Sequence, residues 1–202
     1  MLYIIRHGKT AMNAGMRLQG RSDQPLSETG IEQADEASER FRTMGVRLDK
    51  IYTSPLIRAI QTAERIDDSA ETVIDERLIE MDYGPYEGMD LMDPAPEVMD
   101  FFRDFVNVPA PEGMEPLHAV VERLGRFLED IREEASAGNV LISTHALAMK
   151  GALEYLTPES KGSYWAKNIG NCDIYCAEVT DGKFGVPVKL EDGKDRWEGS
   201  AK

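Results

Sequence analysis

Short runs of apolar, β-branched and aromatic residues recur along the chain: LYII at 2–5, KIYT at 50–53, VLIST at 140–144 after Asn139, and DIYCAEV at 173–179, with a weaker run near 72–75. Runs of this length and composition predict strands. Between them the apolar spacing turns helical. From Ser27, a good N-cap, Ile31, Ala34, Phe41 and Met44 fall near multiples of a turn, and Gly45 stands where a C-terminal cap would. A second helix begins after Pro55 and carries Leu56, Ile60, Ala63 and Ile66 on one stripe. The longest pattern covers 117–135, with Val120, Val121, Leu124, Phe127, Leu128 and Ile131 apolar and Gly138 as a stop. A last helix runs from about Ala146 to Leu156, ahead of Pro158.

Strands alternating with helices predict an α/β fold, a three-layer α/β/α sandwich around a mostly parallel sheet covered on both faces. We expect one domain over 1–202. Its segment 84–116, rich in proline and acidic residues, reads as an insertion or lid. TDGK at 180–183 and EDGK at 191–194 are Asp-Gly turns that predict hairpin-like structure near the end.

Composition narrows the partners. The 202 residues are 42% hydrophobic, enough for a core, and 23 Lys and Arg against 37 Asp and Glu give a formal net charge of −14. Such an acidic surface argues against nucleic acid and anionic membranes, whose binding needs dense positive charge. Cys172 and Cys176 are too few for a disulfide framework; their spacing in CDIYC would place them on one face of a strand as core thiols. With neither a leader pattern nor an apolar run near the ~18 residues of a membrane span, a cytoplasmic protein is expected.

Against that acidic background, local basic groups stand out. Ligands of open α/β sheets bind beyond the carboxyl ends of the strands. LYII is followed at once by Arg6-His7-Gly8, KIYT by Ser54-Pro55 and then Arg58 in the first turn of a helix, and VLIST by His145. Three strands thus bring two arginines and two of three histidines to one edge. Arg58 opposes its helix dipole, a costly choice unless an anion is near. Guanidinium forks and helix amides suit a phosphate. The glycine-rich loops of nucleotide binders are absent, and His7, His118 and His145 lack metal-ligand spacing, so neither a nucleotide cofactor nor a metal is expected.

Phosphoryl transfer without metal needs a nucleophile, charge stabilisation and an acid for the leaving oxygen. A neutral His7 can attack through one ring nitrogen while the other donates its proton, for instance to a carbonyl at the Gly8 turn. ERLIEMDYGPYEG at 76–88 offers Glu76, Glu80, Asp82 and Glu87 as acids. Glu80 is the best placed, because Leu78, Ile79 and Met81 around it would desolvate its carboxyl.

Together these residues resemble the histidine phosphatase superfamily, also called the phosphoglycerate mutase-like family. The resemblance rests on RHGKTAMN, LQGRSDQPLSETGIEQA, IYTSPLIRAIQTAE, ERLIEMDYGPYEG and VLISTHALAMKGAL in that order. It implies a phosphohistidine mechanism: His7 the phosphorylated nucleophile, Arg6, Arg58 and His145 holding the phosphoryl oxygens, and Glu80 protonating the leaving oxygen and then activating water. It further implies Asn13 as a phosphate donor, and Gln19 with Gly20 at the substrate entrance, Gln19 alternatively tying down its loop.

Lys9 stands where the family often has an acidic residue or glutamine, and Glu115-Pro116 where a Glu-Ser pair is usual. His118, nearby, reads as a surface residue at a helix start. The family's glycolytic mutases have a longer, basic segment after the acid region, whereas 84–116 is acidic with Arg103 its only Lys or Arg. That favours a metal-independent phosphomonoester hydrolase on a small phosphorylated metabolite. Phosphoglycerate mutase-type transfer is the alternative, and a non-catalytic phosphate-binding module a second, which would have no use for His7 and Glu80. The lid residues Met89, Leu91, Met92, Phe101, Phe102 and Phe105 either form a greasy substrate wall or, the favoured reading, pack on the core. No sequence feature sets an oligomeric state.

Overall fold

The computed structural model describes residues 1–190. Its strands are β1 (Leu2–Arg6), β2 (Lys50–Thr53), β3 (Glu71–Ile74), β4 (Val140–Thr144), β5 (Ile174–Ala177), β6 (Val179–Thr180), β7 (Lys183–Phe184) and β8 (Val188–Lys189). Its helices are α1 (Ala11–Ala14), α2 (Glu28–Thr43), α3 (Ile57–Ile66), α4 (Pro96–Arg103), α5 (Leu117–Asp130), α6 (Arg132–Ala137) and α7 (Ala146–Leu156). The main sheet has the order β3-β2-β4-β1-β5-β8. The four strands β3, β2, β4 and β1 run parallel, and β5 and β8 add antiparallel pairs at one side.

Alternation along each strand makes the three layers, because successive side chains leave opposite faces. Leu2, Ile4, Tyr52, Val140, Ile142 and Tyr175 face the core under α5 and α7. Tyr3, Ile5, Ile51, Leu141, Ile174 and Cys176 face the core under α2 and α3. On the first face α7 lies close to α5: a Cβ on Gly151 would stand 2.8 Å from Val120, and one on Gly125 would stand 2.4 Å from the Tyr155 ring.

Two expectations need adjustment. The helix over 117–135 is broken at Ile131, which leaves helical geometry (φ −93°, ψ 1°) while its side chain stays in the core. The strand expected at 173–179 is shorter, and Cys172 precedes it in the left-handed region (φ 57°). The two free thiols nevertheless share one buried cluster. The turn in TDGK joins β6 to β7, with Asp181 and Gly182 both at positive φ, as a tight hairpin turn requires. The EDGK turn lies outside the described residues.

In the segment 84–116, Val98 and Phe101 are buried, and Met89, Leu91, Phe102 and Phe105 pack against the first core. Met92 is exposed. The lid's apolar stripe is therefore mostly core, as favoured above. No helix among the described residues is long and apolar enough to cross a membrane.

Candidate active site

The carboxyl ends of β1, β2 and β4 do converge. The His7 amide donates to Thr144 O at 2.9 Å and the Ser54 amide to Ser143 O at 3.0 Å, so the residues after the three strands stay locked in register. His145 is the N-cap residue of α7, and Arg58 lies in the first turn of α3. His7, Arg58, Glu80 and His145 are all buried.

The turn that carries His7 depends on two glycines. A Cβ on Gly8 would lie 2.3 Å from Gly30 O, and one on Gly30 would lie 2.0 Å from Lys9 O, so only glycine lets α2 approach the turn. The Gly8 amide donates to Thr62 Oγ1, which donates to Arg58 O.

Hydrogen bonding decides the tautomer of each histidine. His7 Nδ1 lies 2.7 Å from Gly8 O, an acceptor, so Nδ1 carries the proton and Nε2 keeps its lone pair. Arg58 Nε donates to that Nε2 and to His145 Nδ1, both at 3.2 Å. His145 Nε2 must then carry its proton and donate to Ser54 Oγ at 2.7 Å. The rings stand 5.1 Å apart, tilted by 59°. Desolvation first, then the charge of Arg58, holds both imidazoles well below the usual histidine range, with Arg6 contributing to each. Both are neutral at pH 7, and the His7 Nε2 lone pair is met only by the Arg58 Nε–H.

The Arg58 guanidinium is fully buried, and burial pushes it down to about 10. Its Nη1 donates to Ser22 O at 2.8 Å and its Nη2 to Gly20 O at 2.6 Å. The loop 20–22 is in turn gathered by Glu87, which accepts from the amides of Gly20, Arg21 and Ser22 and from Ser22 Oγ. Asp23 Oδ1 accepts from the Ile57 amide at 2.7 Å, and its charge favours the Arg58 cation. Glu80 and Glu87 favour that cation more strongly than Asp23 does, so carboxylates offset the arginine at the helix start.

Glu80 sits differently from its expected apolar nest. Its Oε1 accepts from the amides of Met81, Leu147 and Ala148 at 2.9, 3.1 and 2.9 Å, so the start of α7 holds it. Oε2 has one longer contact, 3.2 Å to the Leu147 amide.

Arg6 Nη1 donates to Ile169 O, while its buried Nε has no partner. Gln19 Oε1 accepts from Thr10 Oγ1 and Asn13 Nδ2, leaving buried Gln19 Nε2 unpartnered as well. Gln19 thus does tie down its loop and also presents an orphan donor. Asn13, expected as a phosphate donor, has its amide committed to Gln19, with Oδ1 accepting from the Thr10 amide and Asn171 Nδ2. Gly20 packs tightly, since a Cβ there would fall 2.6 Å from Glu87 Oε2 and 2.7 Å from the Tyr83 ring. His118 is exposed near the start of α5. Among the described residues no group of three His, Cys, Asp or Glu side chains is placed to hold a metal.

Sequence reasoning missed Ser54, Thr62 and Asn171, the last of which donates to His7 O at 3.0 Å. Ser54 was visible beside Pro55 at the end of its strand; nothing in the sequence marks Asn171.

The model of the histidine phosphatase superfamily (branch 1) matches residues 2–191. A "Probable phosphoglycerate mutase GpmB" from Yersinia pestis (strain Pestoides F) is 34% identical over 179 residues, 86% of this chain and 82% of that protein. Among solved structures, phosphoserine phosphatase from Entamoeba histolytica in complex with 3-phosphoglyceric acid is 25% identical with a TM-score of 0.77, over 94% of each chain. Bacillus stearothermophilus YhfR is 29% identical with a TM-score of 0.79, over 92% of this chain and 94% of its own. The chain belongs to the histidine phosphatase superfamily.

Proposed function

We propose that this member of the histidine phosphatase superfamily is a cytoplasmic, metal-independent hydrolase of small phosphomonoesters that works through phosphorylated His7. The observation that carries the reading is the tautomer: Nδ1–H is spent on Gly8 O, leaving Nε2 neutral, buried and unprotonated.

In the first step the Nε2 lone pair attacks phosphorus, the bond to the leaving oxygen breaks, and Glu80 donates its proton to that oxygen. In the second, water attacks phosphorus, its proton passes to Glu80, and the N–P electron pair returns to Nε2. Arg6 and Arg58 offset charge on the phosphoryl oxygens, helped by the orphan donors Arg6 Nε and Gln19 Nε2. His145, donating to Ser54, holds Arg58 from the other side.

Phosphoglycerate mutase-type transfer is the second reading, favoured by the name of the Yersinia relative. The excess of carboxylates in 84–116 supports the hydrolase, because it disfavours a doubly phosphorylated intermediate that a mutase must retain.

The test is phosphate release from a phosphomonoester panel in the presence of chelator. We expect release by the wild type and a loss of at least about a thousandfold in His7→Ala. Interconversion of 2- and 3-phosphoglycerate without net release would replace this reading with the mutase. In Glu80→Gln the loss should be larger for alkyl phosphates than for p-nitrophenyl phosphate, whose leaving group departs without a proton; equal losses would remove Glu80 as the acid.

A further inference from the structure

Arg123, on α5, is a buried cation that the chemistry above does not use. It is 8% exposed, and one side of its fork is paired with Glu115: Nε donates to Oε1 at 2.8 Å and Nη2 to Oε2 at 3.2 Å. The remaining nitrogen, Nη1, donates to Arg77 O at 2.7 Å and to Ile79 O at 2.6 Å. Glu115 extends these contacts. Its Oε2 also accepts from the Asp82 amide at 3.1 Å and from Arg21 Nη2 at 3.3 Å, and its own amide donates to Asp82 O at 2.8 Å.

These bonds land on both sides of Glu80. Residues 75–83 contain no strand and only one tight turn, Glu76–Leu78, so no ladder fixes their backbone. Side chains take that place. Arg123 holds the carbonyls of Arg77 and Ile79, Thr144 Oγ1 donates to Leu78 O at 2.7 Å, and Glu115 holds Asp82 at both its amide and its carbonyl. The Glu80 carboxylate meanwhile rests on the Leu147 and Ala148 amides. The acid's backbone is thus tied to α5 and its carboxylate to α7, two helices in close contact at Gly125 and Gly151. Desolvation offsets most of the attraction in a buried Arg–Glu pair, so its effect falls on position more than on stability.

We propose that Arg123 is a positioning residue for the acid step: with Glu115 it clamps residues 77–82 so that the Glu80 carboxyl meets the leaving oxygen. A planar fork can hold a carboxylate and two carbonyls at once, which the single nitrogen of a lysine cannot. This role rests on Glu80 being the acid. It concerns only transfer to His7, a step that a hydrolase and a mutase share.

The test is the rate of His7 phosphorylation, followed by rapid quench. One donor is glycerol 3-phosphate, an alkyl ester whose leaving oxygen needs a proton, and the other is p-nitrophenyl phosphate, whose leaving group needs none. Wild type is compared with Arg123→Met, Arg123→Lys, Glu80→Gln, and Arg123→Lys combined with Glu80→Gln, each also followed by thermal melting. Should Arg123→Met, which strips Glu115 of its partner, fail to fold, Arg123→Lys keeps a cation beside Glu115 and loses only the fork. We expect the loss with glycerol 3-phosphate to exceed that with p-nitrophenyl phosphate about tenfold in Arg123→Met and about threefold in Arg123→Lys. In the Glu80→Gln background Arg123→Lys should add no further bias, because the group through which it acts is gone. With Glu80→Gln still discriminating between the esters, two results would overturn the proposal alone: equal losses on both esters in the Arg123 variants, whatever their melting temperatures, or a bias of undiminished size in the Glu80→Gln background. Equal losses in Glu80→Gln, or no phosphohistidine from either ester in the wild type, would overturn the acid reading and the proposal together.

Discussion

The strand-end cluster and the segment 84–116 are built on different principles. Around His7 and Arg58 the backbone sets the geometry: two glycines pressed against carbonyls, amides on Glu80, and carbonyls on both Nη atoms of Arg58. In 84–116, beyond Glu87 and the backbone bonds to 16–18, the contacts are rings on rings, Phe101, Phe102 and Phe105 together with Trp165 and Tyr83. Backbone hydrogen bonds specify position to a fraction of an ångström, while aromatic packing tolerates rearrangement. The first region suits a reaction common to many substrates and the second suits the choice among them.

Arg58→Lys should break this division most severely if it is wrong. A lysine cannot hold Gly20 O and Ser22 O and still donate between two imidazoles, so kcat/KM should fall about a hundredfold on every substrate alike. A loss confined to some substrates would mean that Arg58 belongs with specificity.

Next in size is the acid limb of the pH profile. Because burial and Arg58 depress His7 and His145 well below 6.5, kcat/KM should hold through pH 6.5 and fall only at lower pH. Stability carries the opposite burden. The unfolded histidines bind protons below about 6.5 while the folded ones do not, so these residues lower stability as pH falls through that value. A limb centred at 6.5 would place the nucleophile in a wetter setting than the one described.

The smallest effect belongs to the lid. Phe105→Leu should raise KM by roughly two- to fivefold and leave kcat nearly unchanged, since it loosens the packing of 84–116 on the core without moving His7. A comparable fall in kcat would tie the lid to the chemistry.

Much of this was legible in the sequence because it follows from period and order. Alternation in LYII and VLIST sorted side chains to the two faces, and the residues after each strand had to reach the same edge. The long-range partners were not legible. That Gly8 meets Gly30, that Asp23 caps α3, or that Asn171 reaches His7 O depends on how separate loops meet in space, which periodicity does not encode. Glu80 marks the boundary: the apolar residues beside it made it a candidate, but its seat on the first amides of α7 required the fold.

The most direct test of the account is to quench the enzyme in alkali during turnover of a phosphomonoester, with chelator present, and map the phosphorylated residue by mass spectrometry. The account predicts an acid-labile, alkali-stable phosphoryl group on His7, absent in His7→Ala and accumulating when water attack is slowed in Glu80→Gln with p-nitrophenyl phosphate. Phosphate release by the wild type with no phosphohistidine in either protein, or with the phosphoryl group on another residue, would contradict it.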